Sequence, residues 1–175
     1  MTRLVPTAEM TLGPFFPREF AEGANDLTRV DGRPAAGEPI EIVGRVFELD
    51  GRALDNVVLE IWQADAAGRF DNPDFPGWGR AATDAQGNYL FRTIRPGAIP
   101  GRAPHINFLV LYSGLMRQLQ TVMFFENSDD PVLQVVESSR RGHLIAQRSD
   151  ARIGPASYRF DIRLRGSDET PFFDD

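Results

Sequence analysis

The chain has 175 residues, of which 42% are hydrophobic and 25% charged, enough for one globular domain with a sizeable core. A formal net charge of -6 argues against a nucleic-acid binder, and the lack of cysteine excludes disulfides, thiolate metal sites and cysteine nucleophiles. Two histidines cannot make an all-histidine metal site within one chain, and no apolar run approaches a membrane span or a signal core, so the expected location is the cytoplasm.

Residues 1–37 read as an N-terminal arm and loop, and 38–175 as a single β domain. In the arm, Gly13-Pro14 and Pro17 break the backbone, yet Leu12, Phe15, Phe16 and Phe20 are apolar. An irregular segment with this many aromatics needs a surface to bury them, on its own domain or on a partner. Residues 21–37 are polar and glycine-rich and read as loop.

The β region opens with alternation at Ile40, Ile42, Gly44 and Val46, followed by a hairpin signal at Asp50-Gly51. Residues 56–64 alternate again, with Val57, Leu59 and Ile61 on one face. A turn-rich stretch leads to a short strand near 80–83 and a clear one over 88–94. Next comes a Gly/Pro-rich approach loop, a strand beginning near His105, a turn around Ser113-Gly114 and a second strand from about Arg117. Asp130, Pro131 and Gly142 bracket one helix as cap, first residue and stop. His143 after it reads as exposed or lightly packed. Tyr158, Phe160, Ile162 and Leu164 alternate with Arg159, Asp161, Arg163 and Arg165 in one continuous strand. The end is an apolar pair, Phe172-Phe173, in an acidic tail. Many short strands, frequent turns and one short helix predict an antiparallel β-sandwich.

The chemistry is concentrated at His105. Asn107 lies two residues on, so the two side chains share one face of a strand at its mouth. That spacing suits a pair of metal ligands, but asparagine is a poor transition-metal ligand beside histidine. No serine sits in a nucleophile-elbow context, which argues against a hydrolase.

Several stretches, taken in order, resemble the intradiol ring-cleavage dioxygenases, and in particular the α chain of that family's two-chain enzymes. They are 11–15 (TLGPF), 59–65 (LEIWQAD) with Gly68-Arg69-Phe70, 87–97 (GNYLFRTIRPG), 103–107 (APHIN), 144–148 (LIAQR) and 158–166 (YRFDIRLRG). The resemblance implies a catalytic β chain holding Fe(III) with two tyrosines and two histidines, and no metal in this chain. Matched by motif, those four positions fall here at Phe70, Ile99, His105 and Asn107. Arg102 keeps the place of an arginine shortly before the histidines, while a glutamine of catalytic chains falls at Val122. The resemblance further implies that Thr11, Gly13, Pro14 and Phe15, with Ser113, wall the partner's substrate pocket. At Ser113 related α chains tend to carry an arginine that suits a substrate carboxylate, and Arg117, Arg102 or a partner residue would have to replace it. The implied reaction is insertion of both atoms of O2 into protocatechuate, giving 3-carboxy-cis,cis-muconate, in a hetero-oligomer of αβ pairs; the isolated chain is then expected to be inactive. The alternatives are a metal-free β-sandwich binding module, which leaves the ordered motifs unexplained, and an α-like subunit acting on another catechol.

Overall fold

Alternating apolar residues build the centre of the molecule, described by a computed structural model over residues 18–149 and 154–173. A single 3-10 turn (Arg18–Phe20) precedes a small antiparallel hairpin of β1 (Arg29–Val30) and β2 (Arg33–Pro34). The central strand β3 (Pro39–Phe47) then buries Ile40, Ile42 and Val46 on the face its period predicts. It is followed by β4 (Val58–Trp62), β5 (Trp78–Ala82), β6 (Asn88–Ile94), β7 (His105–Leu111) and β8 (Leu119–Phe124). The helix α1 (Pro131–Val135) and a 3-10 segment (Arg141–Leu144) lead to β9 (Gln147–Ser149), β10 (Ala156–Arg159) and β11 (Ile162–Arg163). None of the helices among the described residues is long and apolar enough to cross a membrane.

Strands β3 to β11 form two sheets packed as a sandwich, apart from the β1–β2 hairpin. One runs β5-β4-β7-β8, antiparallel throughout. In the other, β3 pairs with β6 along one edge and with β10 and then β11 along the other, β9 lying beyond β10. The inner faces meet in a core that includes Ile42, Leu59, Ile61, Phe91, Phe108, Tyr158 and Phe160, each buried. Each such side chain contributes about 1.5–3 kcal/mol of burial free energy. Rings meet edge-on, Phe91 and Phe108 with centroids 6.1 Å apart at 85°. One polar link crosses the core. The buried Gln63 amide donates to the Ile94 carbonyl (2.9 Å), and Thr93 Oγ1 donates to Gln63 Oε1 (2.8 Å), fixing the end of β4 against the end of β6.

The β-sandwich expected from the sequence is present, and four finer expectations need correction. Two strand pairs are parallel, since β10 and β11 both run parallel to β3. The alternation over 156–166 is continuous in burial but not in hydrogen bonding. Asp161 interrupts it because its carboxylate accepts the Arg45 backbone N–H (3.0 Å), replacing a ladder bond. The single helix over 130–142 is split. Asp130 caps it as expected, accepting from Val132 N, but α1 ends at Val135, where the Arg141 guanidinium takes the Gln134 and Val136 carbonyls. Gly142 lies inside the following 3-10 segment rather than stopping the helix. Residues 21–37, read as loop, contain the β1–β2 hairpin and bury Ala21 and Leu27. The tail is also structured, with Phe173 N donating to Gln120 O (2.9 Å) and Thr121 Oγ1 to Pro171 O (2.8 Å).

The tightest point of the sandwich is Gly44. A Cβ there would stand 1.9 Å from the Phe160 carbonyl oxygen and 2.8 Å from the Tyr89 hydroxyl, which itself donates to that carbonyl. Burial drives the Tyr89 pKa well above the ordinary phenol value, reinforced by the nearby Asp161 charge, so the hydroxyl stays protonated and donating. Gly44→Ala is therefore expected to cost roughly 3 kcal/mol or to prevent folding. Gly142→Ala, with open space around it, is expected to stay within about 0.5 kcal/mol of the parent. Urea denaturation of both variants checks the contrast, and equal stability of the two would contradict it.

Candidate functional site

The segments carrying Phe70, Ile99, His105 and Asn107 meet at one end of the four-stranded sheet. Asn107 sits on β7 opposite Trp62 of β4, its amide 3.4 Å from the Trp62 carbonyl. Immediately beyond Trp62 the chain turns into the loop that bears Phe70, which is 42% exposed. Ile99, half-buried, bridges to Arg102, whose N–H donates to the Ile99 carbonyl (3.0 Å), and three residues later His105 begins β7. The two loops lie back to back. A Cβ on Gly68 would meet the Ala98 carbonyl oxygen at 2.0 Å, and Gly68 has φ +77, which favours glycine.

Asp65 organises this junction. Its carboxylate has almost no exposed surface and accepts from Ala67 N (2.8 Å), Arg69 N (2.9 Å), the Arg69 guanidinium (2.9 Å) and the Asn72 amide (2.8 Å). Its own carbonyl accepts from Gly68 N (3.0 Å) and Gly97 N (2.9 Å), so one residue ties both loops. Burial alone would raise the Asp65 pKa. The converging N–H donors of Arg69, Asn72 and Ala67 more than offset this and hold it at about 2, below the ordinary 3.8. Asp65 was not singled out from the sequence. Its signal, an Asp three residues before a Gly in a turn-rich stretch, marks the turn but not the number of donors it gathers.

His105 is buried and its Nδ1 lies 2.7 Å from the Ala103 carbonyl, with the ring stacked obliquely on Phe124 at 6.0 Å. Burial lowers its pKa, aided by the charge of Arg102 and opposed by the Ala103 carbonyl and Asp130. The ring is therefore neutral at pH 7, and because a carbonyl only accepts, Nδ1 carries the proton. Arg102 places Nε 2.9 Å from both oxygens of Asp130, a side chain with no exposed surface. Asp130 also accepts from Ala103 N (2.8 Å) and Val132 N (2.9 Å). Burial pushes its pKa up, but these donors and Arg102 hold it below the ordinary carboxylate value. Asp130 was predicted as a helix cap. Its second role, anchoring the strand mouth through Arg102 and Ala103, depends on a long-range contact that the sequence does not display.

Val122 lies opposite Asn107 on β8 and is buried in a second apolar cluster with Phe124, Leu133, Val136 and Leu144. The helix thus covers this part of the sheet's outer face. The donor set at the four matched positions is one neutral imidazole and one carboxamide, beside two hydrocarbon side chains; this does not fit Fe(III), which favours anionic oxygen and imidazole ligands. Among the described residues no three His, Cys, Asp or Glu are grouped as a metal requires.

Ser113 is not part of that constellation. It follows the opposite end of β7, roughly 25 Å of strand away from His105. It lines a cavity of about 1050 Å³ together with Ala21, Asn25, Asp55, Asp84 and Tyr112. His143 is half-buried in the 3-10 segment and lines a separate cavity of about 250 Å³. Thr11, Gly13, Pro14 and Phe15 lie outside the described residues.

Known proteins place these observations in context. The family described as Dioxygenase matches residues 11–166. The protocatechuate 3,4-dioxygenase alpha chain of Burkholderia cepacia is 39% identical, the match covering 99% of this chain and all of that one. The protocatechuate 3,4-dioxygenase beta chain of the same organism is 38% identical over 84% of this chain and 74% of its own. Among solved structures, the dioxygenase domain of a dioxygenase carbohydrate-binding protein fusion from Streptomyces sp. SirexAA-E superposes with a TM-score of 0.65 at 28% identity, covering 93% of this chain and 100% of that one.

The Asp65 junction gives a pH prediction with a definite sign. A carboxylate whose folded pKa lies below its unfolded value contributes stability that is present above about pH 3.8 and lost as the pH falls toward 2. Asp65→Asn is expected to remove this acid limb, so that variant and parent converge in stability as the pH drops through that window. Asp65→Ala, which leaves the part-buried hydrogen bonds from Ala67, Arg69 and Asn72 without their acceptor, is expected to cost roughly 1–3 kcal/mol at pH 7. Denaturant titrations at several pH values measure both, and a constant difference between the Asp65→Asn variant and the parent across the window would contradict the assignment.

Proposed function

The chain belongs to the intradiol ring-cleavage dioxygenase family, and from that premise we propose that it is the iron-free α subunit of a protocatechuate 3,4-dioxygenase. The observation that carries this reading is the pairing of a whole-length likeness to an alpha chain with the side chains at Phe70, Ile99 and Asn107. The loops of the matched site are kept, and of its four ligand positions only His105 still carries a ligating side chain. The Fe(III) then belongs to a homologous β chain, and the reaction is cleavage of protocatechuate by O2, both oxygen atoms entering the product 3-carboxy-cis,cis-muconate.

This chain's contribution is structural and substrate-directed. The arm, with Thr11, Gly13, Pro14 and Phe15, walls the partner's substrate pocket. A Gly-Pro turn presents backbone groups to a small aromatic acid, and Phe15 supplies an apolar surface. Ser113 is the second wall position. A serine cannot pair with a substrate carboxylate as an arginine would, so the carboxylate is met by an arginine elsewhere in the αβ pair. His105 serves the fold, through its bond to Ala103, rather than the chemistry.

Co-expression with the β-type chain tests the reading. The complex is expected to take up O2 with protocatechuate, and this chain alone to show no uptake. Activity of this chain alone, or a complex that forms but cleaves no catechol, would overturn it. Uptake with another catechol but not protocatechuate would transfer the role to a different substrate. Deleting residues 1–16 is expected to raise the apparent KM for protocatechuate about tenfold or more while leaving the complex's iron in place. A truncated complex of unchanged size, KM and kcat would remove the arm from the pocket.

A further inference from the structure

The N-terminal segment does not simply run off the domain. The Phe20 ring lies over the Arg80 guanidinium, 3.7 Å from ring centroid to Cζ, and Arg80 donates to the Phe20 carbonyl (3.1 Å). The same guanidinium lies 5.0 Å from the Trp78 ring centroid. Its Nε donates to Glu60 (2.8 Å), its direct cross-strand partner on β4, and both charged side chains are largely buried. One arginine is therefore held by a carboxylate, in contact with two aromatic rings and hydrogen-bonded to the Phe20 carbonyl. The main chain adds a further point, Arg80 N donating to the Ala24 carbonyl (2.8 Å). Phe20 is still 41% exposed, so its ring is not there to fill the core. Its contact with Arg80 fixes the place where the chain leaves the sheet.

That place is specific. Arg80 and Trp78 project from the same outer face of the sheet as Glu60 and Trp62, and through the Trp62–Asn107 register the same face as Asn107. Phe15 lies five residues before Phe20 and Gly13 seven, so these wall positions are within about 17–25 Å of the fixed point even when fully extended. Without it, the root of the arm is held only by the burial of Ala21 and the bond at Ala24. A root without the ring contact frees the arm's direction of approach and so lowers the effective concentration of the wall at the partner's pocket.

The geometry points to Arg80 as a positioning residue, which with Glu60, Trp78 and Phe20 clamps the root of the arm and aims it at the partner's substrate pocket. This rests on the arm's role in the proposed function. A guanidinium suits the task because it is planar, permanently charged and able to stack and donate at once; an ammonium cannot stack in the same way.

The test uses the co-expressed αβ complex and four changes in this chain: Phe20→Ala, Arg80→Ala, Arg80→Lys and deletion of residues 1–16. Phe20→Ala leaves the Glu60–Arg80 pair intact, so it reports on the clamp even if Arg80→Ala disturbs β5. The apparent KM for protocatechuate is expected to rise about fivefold in Phe20→Ala and about tenfold in Arg80→Ala, with kcat and iron content within about twofold of the parent. Arg80→Lys is expected to recover part of the loss. Tryptic cleavage after Arg18 should accelerate in the same order, a readout that needs no substrate. If the deletion raises KM while Phe20→Ala and Arg80→Ala leave both KM and cleavage unchanged, or only lower the melting temperature, the clamp is structural and the inference fails. If the deletion itself leaves KM unchanged, the arm's role falls and the clamp's purpose with it.

Discussion

Two loops that would otherwise be independent are held together by one nearly inaccessible carboxylate. Asp65 gathers backbone and side-chain donors from residues 67–72, and its carbonyl holds Gly97. Phe70 and Ile99 occupy fixed places because of it, and the Gly68–Ala98 contact leaves no room for the loops to slide. Removing the carboxylate leaves the part-buried N–H groups of Ala67, Arg69 and Asn72 without their common acceptor. The constraint is geometric as well as energetic. The loop path survives whatever the side chain at position 70 happens to be, so ligand chemistry can be lost without loss of the fold.

A second buried carboxylate does the same work at the strand mouth. Asp130 caps α1 and, through Arg102 and Ala103, holds the entry to β7. His105 is then fixed from both sides, by Ala103 and by Phe124. The result is a rigid frame with one neutral imidazole and no anionic oxygen among the matched positions. Such a frame suits a subunit that supports a reaction in a homologous partner. Its useful surfaces are where the chain leaves the sheet and where it meets that partner, rather than its own pocket. The aromatic and charged contacts around Arg80 lie where the chain leaves the sheet.

The parts of this arrangement that the sequence displays are those written in local pattern. Period-two alternation located β3, β4 and β6, the Gly/Pro-rich approach loop located the start of β7, and the sequence Asp130-Pro131 located the start of α1. What escaped depends on partners distant in the chain. The strand over 156–166 breaks because Asp161 meets Arg45, 116 residues away, and β10 runs parallel to β3 through a crossover no local rule specifies. The helix stops early because β-branched Val135 and Val136 hold it weakly and Arg141 takes its last carbonyls. The motif match names Phe70, Ile99, His105 and Asn107, whose segments meet at one end of the four-stranded sheet, whereas Ser113 follows the far end of β7. Asp65 and Arg80 look like ordinary turn and strand residues until their partners are known.

On the proposed function, this chain keeps the frame of a ferric site and leaves the metal to its partner. The direct measurement is to assemble the complex with the β-type chain, separate the two subunits under mild conditions, and determine iron and the visible spectrum of each fraction. The iron and the tyrosinate-to-iron absorption are expected to stay with the partner, and this chain to carry neither. Stoichiometric iron with that absorption in the fraction containing this chain would contradict it.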